Sequence, residues 1–217
     1  MESNMAASGA VLVGGESRRM GADKALLSFR GRRMIEWVVE ALSGVVDEVL
    51  LVGRGADRLA WLGLPTMEDR LPGGGPLAGI YTALAAARYS HCLIVACDMP
   101  FLDPALLAYL LAQAPGWDAV VPQVQDHLEP LHAVYARSCL PVIRDMLAAG
   151  ELCPLDLYPR VRVRYVEEEE IAAFRNGPWS FVNFNTPEDL RALGEPEPIA
   201  PGPLPLPILL KGVDLCW

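Results

Sequence analysis

Lysine is nearly missing from this chain. Of its 18 basic residues only Lys24 and Lys211 are lysines, so arginine carries almost all the positive charge. A lone lysine inside a glycine-rich stretch is then there for its shape, a compact ammonium on a flexible stem that can follow a moving anion. Positive charge is short overall: 27 acidic residues leave a net charge of −9, which argues against the general basic surface that nonspecific nucleic-acid binding requires. Histidine is scarce, and His91, His127 and His132 have no metal-ligand spacing. The five cysteines (Cys92, Cys97, Cys139, Cys153, Cys216) are odd in number and include no C-x-x-C pair, favouring reduced thiols over a disulfide framework or zinc site. No run approaches the roughly 18 apolar residues of a membrane span, and residues 1–9 offer no basic segment of the kind that opens a signal peptide. The expectation is a cytoplasmic protein that engages neither nucleic acid nor membrane.

What the chain does have is 217 residues, 52% of them hydrophobic, enough for one sizeable core. Its positive charge is also concentrated: Arg18, Arg19, Lys24, Arg30, Arg32 and Arg33 lie close together, opposed only by Asp23. The stretch Val11-Leu12-Val13-Gly14-Gly15-Glu16-Ser17-Arg18-Arg19-Met20-Gly21-Ala22-Asp23-Lys24 begins as an apolar strand and breaks into a basic, glycine-rich loop. Glycine lets backbone N–H groups approach an anion closely, so the stretch reads as a phosphate grip. It matches neither a Walker A loop, in which Lys follows Gly directly, nor the dinucleotide pattern G-x-G-x-x-G. A local anion site on an acidic protein points to a small phosphorylated ligand rather than a polymer.

Taken in order, residues 10–13 form a buried strand, and residues 25–29 a short extended piece before Gly31. Ile35, Val38, Val39 and Leu42 then recur at helical spacing up to Gly44. Residues 48–52 form an apolar strand covered on both faces, which makes strand, loop, helix, strand the start of a parallel α/β sheet. A helical piece over 57–62 leads to a short strand ending at Met67, Glu68 and Asp69. The second glycine loop, Gly73-Gly74-Gly75, runs into a helix with Pro76 in its first turn. Residues 92–97 are the most hydrophobic strand and stop at Asp98. A carboxylate at the carboxyl end of a buried strand is costly unless it is paired or holds a cation, and Mg²⁺ suits a site beside phosphates. Asp98 as a plain turn or cap residue is the alternative, although Asp103-Pro104 already supplies the cap of the next helix. Strands are expected over 118–122, 130–135 and 161–166, with a polar connection over 123–129 and a helix over 137–149. The acidic run Glu167 to Glu170 reads as a solvated helix start. Phe181-Val182-Asn183-Phe184-Asn185 alternates as a strand would, which places both asparagines on one face. Beyond Gly194 comes a Pro-rich linker and an apolar tail ending in Trp217, so residues 1–194 are read as the domain and 195–217 as an appendage.

Four of these stretches together resemble the molybdenum cofactor guanylyltransferase family, the MobA-type nucleotidyltransferases. They are the stretch from Leu12 to Lys24, Gly74-Gly75-Pro76-Leu77-Ala78-Gly79, Cys97-Asp98-Met99-Pro100-Phe101-Leu102, and Asn183-Phe184-Asn185-Thr186-Pro187-Glu188-Asp189-Leu190. The resemblance runs colinearly over about residues 9 to 193 and implies a Rossmann-like, three-layer α/β nucleotidyltransferase fold with a mostly parallel sheet. It implies transfer of GMP from GTP to molybdopterin or its molybdenum-loaded form, with Mg²⁺ as cofactor and pyrophosphate released. It places Leu12, Val13, Gly14 and Gly15 against the nucleotide, Lys24 on its phosphates, and Asp69 near the nucleoside. Asp98 takes Mg²⁺ and phosphate, Arg18 and Arg19 join Lys24 against the developing charge, and Asn183 and Asn185 fall on the pterin side. Transient contacts with cofactor-synthesis proteins or target molybdoenzymes follow from the same likeness. Val13 replaces a usual Ala, and Val52 stands where some members have a nucleotide-contacting Asn, which leaves base selectivity open. The rival readings are cytidylyl transfer, nucleotidyl transfer to another phosphorylated metabolite, and a noncatalytic GTP-binding delivery protein.

Overall fold

The computed structural model describes residues 5–13, 24–71 and 73–184. Their centre is an eight-stranded sheet in the order β10-β7-β9-β6-β1-β4-β5, with β8 paired to β7. β1 (Ser8–Leu12) lies parallel between β4 (Glu48–Val52) and β6 (His91–Ala96), and β5 (Thr66–Met67) extends the sheet beyond β4. β7 (Ala119–Val124) and β10 (Val163–Val166) are parallel to each other. Only β9 (His132–Ala136), inserted antiparallel between β6 and β7, and the short β8 (His127–Leu128) run the other way. This is the mostly parallel α/β sheet expected from the sequence.

Helices cover both faces, and strand alternation decides which residues meet which layer. Val11, Leu51, Leu93 and Val95 face α1 (Met34–Ser43) and α3 (Pro104–Ala112). Ala10, Leu50, Val52 and Ile94 face α2 (Gly75–Ala86) and α4 (Leu140–Ala148). Ile35, Val38 and Leu42 of α1 are completely buried, each contributing about 1.5–3 kcal/mol of burial. Asp103 caps α3 by accepting from the N–H groups of Ala105 and Leu106, as its position before Pro104 predicted.

Several local expectations need correction. The connection over 123–129 is a hairpin: Gln125 (φ 48°) and Asp126 (φ 63°) form a two-residue turn that brings β8 back onto β7. The piece before Gly31 is half of another hairpin, β2 (Ser28–Phe29) with β3 (Arg32–Arg33), turned by Arg30 (φ 50°) and Gly31 (φ 75°). Residues 181–184, expected as a strand, are not one: Pro178–Phe181 is a 3-10 turn, and Val182 to Phe184 form no ladder. The alternation there arises because the segment packs into an aromatic cluster with Phe29 and Phe101 rather than along a sheet. Cys92, Cys97 and Cys139 are thiols, as expected. Glu170 is not solvated freely, since it pairs with Arg164 at 2.5 Å, while Glu167 to Glu169 are exposed. The expected linker and tail, 195–217, lie outside the described residues. Among the described residues no helix is long and apolar enough to cross a membrane.

Candidate active site

Parallel strands deliver their carboxyl ends to one edge of the sheet, and β1 delivers Leu12 and Val13 there. Leu12 lies between Val52 and Ala96 in register. The ladder continues one step further: Val13 N–H donates to the Val52 carbonyl at 2.8 Å, and Cys97 N–H donates to the Leu12 carbonyl at 3.2 Å. Both residues are nearly buried, so their contribution at this edge is backbone and shape. Gly14, Gly15, Arg18 and Arg19 lie outside the described residues.

Lys24 and Asp98 meet, with Nζ 3.2 Å from Oδ2. Asp98 sits in the turn after β6 and is only 7% exposed. Its second carboxylate oxygen, Oδ1, is buried and has no hydrogen-bond partner. A buried ionised oxygen without a partner costs free energy that a cation or ligand donor would offset. A further carboxyl lies near enough to Asp98 to feel its charge. β9 starts where β6 ends, as the bond from Ala96 N–H to the Leu131 carbonyl at 3.0 Å shows, and this brings Glu129 to the same place. Burial and the charge of Asp98 push the Glu129 carboxyl up to about 8. From sequence Glu129 falls in a polar connection, because nothing local reveals that an antiparallel strand will bring it close to Asp98.

Asp69 lies just past β5, whose end is tied to the end of β4 by the bond from Gly53 N–H to the Met67 carbonyl. β5 and β6 are three strand spacings apart, about 14 Å, a span suited to an elongated ligand laid along the edge. Asp69 Oδ1 is also buried without a partner, and burial followed by the Glu68 charge raises its pKa. The next residue, Arg70, donates its N–H to Thr82 Oγ1 of α2. A glycine inside α2 itself has a packing role: a Cβ on Gly79 would stand 3.0 Å from Leu12 Cδ1, so glycine lets α2 close on the end of β1.

Phe184 N–H donates to the Asp98 carbonyl at 3.1 Å, which fixes Asn183 beside the Asp98 turn. Asp103 anchors the same segment, its N–H donating to Ser180 Oγ and its Oδ2 accepting from Asn176 N–H. Asn183 Oδ1 is buried and unpartnered. Asn183 therefore reaches the site on an irregular segment rather than a strand, and Asn185 lies outside the described residues. Arg32 and Arg33, read from sequence as part of the anion cluster, are turned to other work. Arg32 stacks on Trp37 and pairs with Glu40, and Arg33 stacks on Trp61.

Lys24, Asp98, Glu129 and Asn183 thus converge at one end of a strand edge and Asp69 marks the other. Such an arrangement can hold polyanionic phosphates at the charged end and a polar ring system at the other. Among the described residues no group of three or more His, Cys, Asp or Glu is placed to hold a metal ion by itself. A metal there would need ligand oxygens in addition to Asp98, which accords with the preference of Mg²⁺ for one or two carboxylates plus phosphate.

A family model described as "MobA-like NTP transferase domain" matches residues 9–160. A probable molybdenum cofactor guanylyltransferase from Pelotomaculum thermopropionicum is 45% identical over 184 residues, 85% of this chain and 90% of the relative. The molybdenum cofactor guanylyltransferase of Desulfosudis oleivorans is 36% identical over 188 residues, 85% of this chain and 93% of that protein. The crystal structure of molybdopterin-guanine dinucleotide biosynthesis protein A from Archaeoglobus fulgidus superposes with a TM-score of 0.73 at 34% identity, covering 85% of this chain and 95% of its own. With the strand-edge site and these matches across most of its length, the chain belongs to the MobA-like NTP transferase family.

Proposed function

We propose that this chain transfers GMP from GTP to molybdopterin or its molybdenum-loaded form, releasing pyrophosphate, in the cytoplasm. Relatives named for that activity match 85% of the chain. The observation that supports it in the molecule itself is the buried, half-satisfied Asp98 paired with Lys24 at the carboxyl end of β6. A delivery protein that only bound GTP would have no need to keep a carboxylate there at such cost.

In this reading an oxygen of the pterin's terminal phosphate attacks the α-phosphorus of GTP, a new P–O bond forms, and the bond to the β-phosphate breaks. The nucleophile is already ionised, so no protein base is required, and catalysis rests on alignment and charge. Lys24 balances charge on the α-phosphate and on the departing pyrophosphate, with Arg18, Arg19 and the N–H groups of Gly14 and Gly15 completing the grip. The free Oδ1 of Asp98 fits a Mg²⁺ ligand, and the ion when bound supplies Lewis-acid neutralisation of phosphate charge. Leu12 and Val13 line the nucleotide, Asp69 accepts hydrogen bonds from the base at the far end of the edge, and Asn183 with Asn185 orients the pterin. The test is pyrophosphate release from GTP, Mg²⁺ and molybdopterin. Production dependent on all three is the expected result, and none from folded protein with active pterin would overturn the reading.

A further inference from the structure

The guanidinium of Arg58 joins two segments 45 residues apart. Its Nη2 donates to the Val13 carbonyl at 3.0 Å, while Nη1 donates to the carbonyls of Arg54 at 3.1 Å and Gly55 at 2.5 Å. Arg58 sits in the 3-10 turn Ala56–Leu62 after β4, whose own fold is held by Ala56 N–H on the Gly53 carbonyl and Arg58 N–H on the Gly55 carbonyl. Val13 is the last residue before the two glycines of the proposed phosphate grip. It is held twice from the same side, its N–H by the Val52 carbonyl and its carbonyl by Arg58.

That second hold fixes the end of the β1 edge. We propose that Arg58 is a positioning residue for the nucleotide site: by clamping the Val13 carbonyl toward β4 it holds in place the backbone from which Leu12 and Val13 line the nucleotide. The assignment rests on the nucleotide-binding reading above. Arginine suits the task because its planar fork offers separate nitrogens to two segments at once, which a lysine ammonium reaches poorly. The charge it carries near the loop is a secondary effect.

The test compares wild type with Arg58→Lys and Arg58→Met. In both variants KM and Kd for GTP should rise, about tenfold in Arg58→Met, the scale of one misplaced charge-assisted contact, while kcat stays within about threefold. Hydrogen exchange of a peptide covering residues 9–24, measured without nucleotide, should be faster in Arg58→Met. Wild-type GTP affinity in Arg58→Lys would mean that charge alone matters and would overturn the positioning role. Unchanged exchange in Arg58→Met would overturn the clamp itself. Failure of the wild-type protein to bind GTP would count against the proposed function instead, and the exchange measurement would still decide the clamp.

Discussion

Lys24 and Asp98 are 74 residues apart in the chain and 3.2 Å apart at the strand edge, each the other's counter-ion. The two ends of the pair are not equivalent. Asp98 is the more buried and keeps an unpartnered oxygen, whereas the Lys24 side chain is 24% exposed and can be hydrated. Asp98→Asn should therefore abolish transfer with melting temperature unchanged or raised. Lys24→Ala should lower the rate by on the order of 10²-fold or more and also destabilise by about 2 kcal/mol, because it leaves Asp98 charged and unpaired. Pyrophosphate release and thermal melting of the two variants check both statements.

Gly79→Ala places a methyl group against Leu12, where only 3.0 Å is open. Leu12 must move, or α2 must back away from β1, at a cost of about 1–3 kcal/mol. Because Leu12 belongs to the proposed nucleotide wall, the apparent affinity for GTP should weaken as well. Denaturant unfolding with a GTP titration reads both effects.

His132 is completely buried, packs against the Phe181 ring at 4.4 Å, and has its pKa lowered by burial to about 3. The unfolded chain takes up the proton near pH 6.5, but the folded chain resists until about 3, so the unfolded state binds more protons in that window. Stability should be undiminished above about pH 6.5 and fall as pH drops toward 3, by at most on the order of 4 kcal/mol from this residue. His132→Leu should flatten that part of the stability profile while leaving neutral stability little changed. Urea midpoints at several pH values provide the measurement.

Asp69 keeps a buried oxygen unpaired, and burial with Glu68 raises its pKa. Asp69→Asn should then leave the free protein at least as stable, since a buried charge is removed. If Asp69 accepts hydrogen bonds from the base, the same change should shrink the extra thermal stabilisation that GTP gives over CTP in Mg²⁺. A GTP advantage equal to wild type in that variant would remove Asp69 from base recognition.

The sequence was most legible where one local signal decides the outcome. Apolar strands 48–52 and 92–97 (observed as His91–Ala96), the α1 stripe, the Asp103-Pro104 cap and the halt at Asp98 needed no knowledge of distant residues. Glu129 was invisible because its meaning depends on β9 entering the sheet backwards, a choice made by pairing partners rather than by its neighbours. Residues 181–184 misled for a related reason, since alternating aromatics suit an aromatic cluster as well as a strand. Arg32 and Arg33 looked like anion ligands by proximity in sequence, yet a two-residue turn aims them at tryptophans. Arg58, on a short helical piece, gave no sign that its fork would reach Val13.

The reversed direction of β9 also separates two kinds of adjustability. At the β1, β4 and β5 end of the edge, every segment leaves a parallel strand and must travel back through a helix or turn before the next, so changing its length disturbs a layer of the core. At the other end, the chain arrives at β9 from a hairpin whose tip, residues 125–127, is exposed and is tied down by Gln125 N–H donating to the Glu168 carboxylate at 3.3 Å. Lengthening or reshaping that hairpin alters what stands opposite Asp98 without moving the strands that carry it. The fold thus keeps one side of its site conservative and leaves the other open to retailoring.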